Sequence, residues 1–228
     1  MNSLTILREV ELIPVLELEP WGFSASERPQ PSGSVLETPE GWARYWLDCL
    51  ADSGITGLSP LRPGSWHVPV HEIGDPETLE KVLRRHTRDV VGIEALSDVE
   101  ETPILVGGLA LLSGGEVLVA PTCCADLGNL SEWRAAVGYR ESEWRMLWIG
   151  HPWLSVRYES RLLVISEPHE SDSPSGRWAV DAGVLDRAVD AAEVELERFS
   201  RRLERVLMRL GLVDRAGRLA RRLAGLGD

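Results

Sequence analysis

The stretch Gly107-Gly108-Leu109-Ala110-Leu111-Leu112-Ser113-Gly114-Gly115-Glu116-Val117-Leu118-Val119-Ala120 decides the fold. Two apolar runs flank Ser113-Gly114-Gly115, a turn whose glycines accept the positive φ that a tight hairpin demands. The spacing predicts one strand over 103–112 and a second over 116–121, paired antiparallel. Directly after them comes Pro121-Thr122-Cys123-Cys124-Ala125-Asp126-Leu127, then Asn129, Trp133, Trp144 and Trp148-Ile149-Gly150-His151-Pro152-Trp153. Two of the three cysteines and four of the nine tryptophans fall in this region, so the fold is most tightly specified here.

Working outward, 153–158 and 162–166 flank Glu159-Ser160-Arg161 as a second hairpin, and 177–180 reads as a last short strand. Toward the start, 9–19 alternates apolar and acidic residues around Pro14, which suits an edge or a bulge. The stretch 66–73 is another expected strand. Thr38-Pro39-Glu40 and Asp75-Pro76-Glu77 are helix starts: a cap, a proline at the first helical position, and an acid near the positive end of the dipole. Trp42, Tyr45, Trp46, Cys49 and Leu50 form an apolar stripe on the first of these helices, and Gly54 is its stop. Asn129 with Glu132 reads as a capping box.

The C-terminal third is the clearest helix. Leu185, Val189, Ala192, Leu196, Phe199, Leu203, Val206 and Leu210 repeat at alternating four- and three-residue steps, a heptad seam. The expected fold is therefore α+β: a mostly antiparallel sheet flanked by helices 39–53 and 75–88, with a long C-terminal amphipathic helix over about 181–210. The expected division is an α+β domain over 1–180 and a helical extension over 181–228, packed on that domain or on another subunit. In the second case Leu196, Phe199 and Leu203 would make a homodimer.

Charge and composition exclude several classes. The chain has 228 residues and a net charge of −12, which argues against nucleic-acid binding through the general surface. From Arg198 to Asp228, nine arginines face Glu204, Asp214 and Asp228, a local balance of +6, so the rest of the chain carries −18. An acidic surface of this kind steers toward a basic partner. No apolar run reaches the roughly 20 residues that span a bilayer, and Arg8, Glu9 and Glu11 interrupt any leader-like apolar core. An odd cysteine count is not a disulfide framework, and a reducing cytoplasm is the simplest setting. Lys81 is the only lysine, and Asn2, Gln30 and Asn129 are the only side-chain amides, a bias expected of a GC-rich bacterial genome.

Two chemistries compete for the Cys–Trp region. In the enzymatic one, Cys124 is the nucleophile, His151 its base and Asp126 the orienter, because a thiol needs a nearby imidazole to ionise. Against it, the spacing matches no catalytic signature, and in an extended chain Cys123 and Cys124 point to opposite faces. Packing as small core residues is the more ordinary role for both. In the binding one, Trp133, Trp144, Trp148, His151 and Trp153 line a groove for a partner. The ordinary alternative is a tryptophan-filled core, because Phe23 and Phe199 are the only phenylalanines. No metal or cofactor is expected: C-x-x-C and H-E-x-x-H are absent, and His67 and His71 on one strand would stand about 13 Å apart.

Gly107-Gly108 before a strand, the hairpin ending in Cys123-Cys124-Ala125-Asp126-Leu127, and Trp133 together resemble the SMI1/KNR4-like (SUKH) group of bacterial proteins over residues 103–167. The resemblance implies an α+β interaction module, often an immunity protein that neutralises a toxin enzyme, with no catalytic residues to carry over. The chain departs from the group's pattern in lacking a Leu-Pro segment in the first helical hairpin and in its long C-terminal helix.

Overall fold

The computed structural model describes residues 4–25, 27–88, 96 and 99–227. Its strands are β1 (Thr5–Leu7), β2 (Glu11–Glu17), β3 (His67–Pro69), β4 (Gly107–Ser113), β5 (Glu116–Val119), β6 (Arg145–Leu147), β7 (Leu154–Glu159), β8 (Leu162–Ser166) and β9 (Gly176–Val180). Its α-helices are α1 (Pro20–Phe23), α2 (Pro39–Asp52), α3 (Pro76–Arg88), α4 (Leu130–Gly138), α5 (Ala182–Arg209) and α6 (Ala216–Leu223). The fold class is α+β, with the long C-terminal helix. Among the described residues, no helix is long and apolar enough to cross a membrane.

The chain forms two compact units. The first comprises Met1–Pro14 and Val106–Leu196; the second comprises Val15–Leu105 and Glu197–Asp228. The chain passes between them three times: inside β2, between Leu105 and Val106, and inside α5.

The first unit holds a five-stranded sheet in the order β1-β9-β8-β7-β6. Only β1 and β9 run parallel; the other neighbours are antiparallel. Both expected hairpins form. In β4–β5, Ser113 pairs with Glu116 across Gly114 (φ +58°) and Gly115 (φ +80°). In β7–β8, Glu159 pairs with Leu162 across Ser160 (φ +51°) and Arg161 (φ +70°). Two positive φ values in a two-residue loop are the signature of a type I′ turn, whose twist matches that of the flanking strands. Strand β4 is buried from Gly107 to Leu112, which explains why its sequence is an apolar run rather than an alternation.

The single sheet expected from the sequence is replaced by separate strand groupings. Strands β1 and β6 have three residues each, too few for any periodicity to register. The stretch 66–73 also divides: β3 ends at Pro69, and Val70–Glu72 turns as one 3-10 helix, so His67 and His71 do not share a strand face.

Helix α4 is tied to the first half of α5 by Arg134. Its guanidinium reaches Asp186 at 3.1 Å, Asp190 at 2.7 Å and Glu193 at 2.7 Å, an acidic stripe at helical spacing. In the second unit, Trp46 of α2 donates its indole N–H to the Leu18 carbonyl at 2.7 Å, and Cys49 and Leu50 are buried below it. Helix α2 ends as expected: Gly54 takes φ +68°, and the Ile55 N–H returns to the Leu50 carbonyl at 3.0 Å. Asp75 caps α3 by accepting from the Thr78 N–H at 2.8 Å. Several arginines after Arg198 bond backbone carbonyls of this unit. Arg202 donates to the Val70 carbonyl, Arg209 to that of Pro76 and Arg222 to that of Thr102, while Arg221 pairs with Glu197 at 2.7 Å.

The heptad seam is an interior. Leu196, Phe199 and Leu203 are each 0% exposed within one chain. The homodimer expected through these three residues therefore has no exposed seam to use. Truncation of Phe199→Ala leaves a cavity and lowers stability by about 3–5 kcal/mol. Urea melts at widely separated protein concentrations will show that loss with a midpoint independent of concentration. A midpoint that rises with concentration would mean the seam is shared between chains.

Candidate functional site

In the first unit, the Cys–Trp region folds as laddered turns. The Thr122 N–H donates to the Ile149 carbonyl at 3.0 Å, and the His151 N–H donates to the Cys123 carbonyl at 2.8 Å. The Thr122 hydroxyl adds a bond to the Pro152 carbonyl at 2.8 Å. Gly150 is required here: it has φ +107°, and a Cβ would lie 2.5 Å from the Thr122 carbonyl oxygen. Cys123 does not continue into an extended Cys124. Cys124 takes φ +67°, the Ala125 N–H closes back on the Thr122 carbonyl at 3.2 Å, and the two sulfurs lie 3.3 Å apart. Both cysteines are exposed, so neither is the small core residue expected of it; Cys49 is the buried one.

The enzymatic constellation does not assemble. The Asp126 carboxylate accepts from the Gly128 N–H at 2.8 Å and shapes the turn into α4. The His151 ring faces Trp153 at 5.4 Å between centroids, and its Nδ1 lies 3.6 Å from Glu170. Among the described residues, no hydrogen bond joins Cys124, His151 and Asp126. His169 completes the stack at 5.9 Å from Trp153. Its Nδ1 accepts from the Ser171 N–H at 3.1 Å, so the proton sits on Nε2, which donates to the Ser155 hydroxyl at 3.0 Å. Among the described residues, no group of three His, Cys, Asp or Glu side chains could hold a metal ion.

The five expected binding residues separate by burial. Trp133 is 0% exposed, so a partner cannot touch it. Trp144 is half-buried under the Arg157 guanidinium, 4.7 Å from its ring centroid. Trp148 and His151 are exposed, and Trp153 is half-buried between two histidines. Asn129 and Glu132 do not form a capping box. The Asn129 carbonyl oxygen accepts instead from the Leu109 N–H at 3.1 Å, and a Cβ on Gly108 would meet Asn129 Nδ2 at 2.5 Å. A side-chain-to-strand bond of this kind leaves no periodic trace.

A second site, in the second unit, escaped the sequence reading. Four aromatic rings meet edge to face: Trp21 and Trp66 at 6.2 Å, Trp66 and Trp42 at 5.8 Å, Trp42 and Tyr45 at 5.7 Å. Both ends of this ladder, Trp21 and Tyr45, line one open cleft of about 760 Å³ with Glu27, Arg28 and Gln30. Trp21 is 52% exposed, and the other three rings are half-buried. The Trp21 indole donates to Glu19 at 2.9 Å and that of Trp42 to the Gly33 carbonyl at 3.1 Å, so both rings are fixed. Arg28 is held by Asp52 at 2.6 Å, which pulls the Asp52 carboxyl below its ordinary range. Residues 17–52 carry seven carboxylates against Arg28 and Arg44; in the cleft lining itself Glu27 stands beside Arg28. The spacing puts Trp42 and Tyr45 on the apolar stripe of α2, yet they occupy its first turns and are only half-buried, above Trp46, Cys49 and Leu50. The other pair lies at element edges: Trp21 in the short α1 and Trp66 just before β3.

No family model matches the chain, and neither a curated protein nor a solved structure matches it.

Near this cleft, Glu17 and His67 stand opposite each other across β2 and β3. Burial, with Glu19 adding, raises the Glu17 carboxyl to about 7. Burial, with Arg62 adding, lowers the His67 imidazole to about 4. The signs oppose. Glu17 supports the fold fully below its ordinary 4.5 and loses that support as pH rises through about 7. His67 supports it above its ordinary 6.5 and loses that support as pH falls through about 4. Between these ordinary values the two slopes cancel. Glu17→Gln will therefore be more stable than the natural chain above pH 7, by about 1 kcal/mol once solvent screening of this half-buried group is allowed for. Urea melts across pH will show the gap closing below pH 4.5. A constant gap, or none at any pH, would refute the linkage.

Proposed function

We propose that this protein is a non-enzymatic interaction protein that binds a basic protein partner, in the manner of the immunity proteins to which residues 103–167 bear a resemblance. The reading takes it as bacterial and cytoplasmic, from its composition and odd cysteine count. The observation that carries it is the fixed aromatic ladder whose two ends line one open cleft. Tryptophan and tyrosine supply large contact areas at little entropic cost, and their faces attract guanidinium and ammonium groups. Arg28 does not oppose a cation there, because Asp52 already neutralises it. A net charge of −12 steers a basic partner toward the surface. Trp148 and Trp153 remain as additional contacts in the first unit.

The enzymatic alternative, with Cys124, His151 and Asp126, has less to support it, because the Asp126 carboxylate serves its own turn and His151 faces Trp153 and Glu170.

The test is purification of the tagged chain from its own cells, followed by affinity measurement with the protein that accompanies it. The expected partner is basic, dissociates more readily at high salt, and binds Trp66→Ala or Trp21→Ala at least about ten-fold more weakly, as removal of a hot spot does. A partner that binds both variants like the natural chain, or a chain that turns over a small substrate in a thiol-dependent way, contradicts the proposal.

A further inference from the structure

The dithiol of Cys123 and Cys124 has no role in the proposed binding site, yet its geometry is specific. Adjacent cysteines in an extended chain diverge. Here the left-handed conformation of Cys124, at φ +67°, brings both sulfurs to one side, 3.3 Å apart. That conformation is disfavoured for a non-glycine residue. The turn is held by backbone bonds on three sides: Thr122 to Ile149 at 3.0 Å, His151 to Cys123 at 2.8 Å and Ala125 to Thr122 at 3.2 Å. Gly150 permits the close approach that makes two of these bonds possible. Both thiols are exposed, and neither is in a disulfide. Sulfurs that touch within one exposed turn react as a unit, because the second is already in place when the first is oxidised.

We propose that Cys123 and Cys124 form an oxidative modification site, which hydrogen peroxide converts reversibly into a disulfide between neighbouring residues. The thiolate of one cysteine attacks a peroxide oxygen. The O–O bond breaks, hydroxide leaves and takes up a proton as water, and that cysteine becomes a sulfenic acid. The sulfur of the second cysteine then attacks the sulfenyl sulfur. The S–O bond breaks, and the departing oxygen leaves as a second water with the second thiol's proton. Two thiols and one peroxide thus give one disulfide and two waters. A small dithiol such as dithiothreitol supplies the two electrons and two protons that restore the pair. Buried Cys49 takes no part and serves as an internal reference.

The experiment treats the purified full chain with hydrogen peroxide, alkylates the remaining thiols with iodoacetamide, and reads intact and peptide masses. The expected product is a monomer lighter by two hydrogens, with Cys123 and Cys124 protected from alkylation and released by dithiothreitol. Cys123→Ser and Cys124→Ser will not lose two hydrogens; each will gain oxygen or form linked dimers instead. Phenylarsine oxide probes the same geometry without oxidation, since its arsenic binds two thiols together. One equivalent is expected on the natural chain and none on either serine variant. A natural chain whose two thiols stay alkylatable, or gain oxygen separately, or take up no phenylarsine, overturns the proposal.

Discussion

The apolar seam of α5 must be covered by this chain alone, and the rest of the architecture follows from that constraint. Leu185, Val189, Ala192, Leu196, Phe199, Leu203 and Val206 are all buried, along a helix that runs from Ala182 to Arg209. Removing such a row from water is worth about 1.5–3 kcal/mol for each large side chain. In the first unit, Arg134 clamps α4 to the acidic side of the helix. In the second, Arg202 and Arg209 reach across to carbonyls near the start of α3, and Arg221 holds Glu197. Four arginines of this end, Arg202, Arg209, Arg221 and Arg222, are thus internal clamps, while Arg201, Arg205 and Arg218 are exposed.

Much of this was legible in the sequence because it repeats. The heptad spacing defined α5, and the proline starts Pro39 and Pro76 placed α2 and α3 to within a residue or two. The two-residue turns at Gly114-Gly115 and Ser160-Arg161 fixed both hairpins. What stayed hidden depends on one residue or one bond. A positive φ at Cys124 turned a diverging pair of cysteines into a converging one and moved both to the surface. Asn129 traded a helix cap for a strand N–H. Strands as short as β1 and β6 exist only because a longer neighbour offers them an edge.

The candidate sites show the same division. Trp133 and Trp46 are core residues, where burial alone fixes the identity of a large side chain. Trp42 and Tyr45 sit on the same helical stripe as Trp46, but the stripe rises out of the interior at the start of α2 and continues as a half-buried surface with Trp21 and Trp66. Periodicity identifies the face of a helix and not the depth at which that face ends. The step from core to half-buried surface thus lies along one helical stripe.

The central claim is that the apolar face of α5 is covered by its own chain. Native-state amide hydrogen exchange tests this directly. Amides along the buried face of α5, at Val189, Ala192, Leu196, Phe199 and Leu203, should exchange last and only through global unfolding, independently of protein concentration. Those around Trp21–Ala25 and Glu27–Gln30 should exchange earlier by local opening. Early exchange along α5, or α5 protection that grows with protein concentration, would contradict the account.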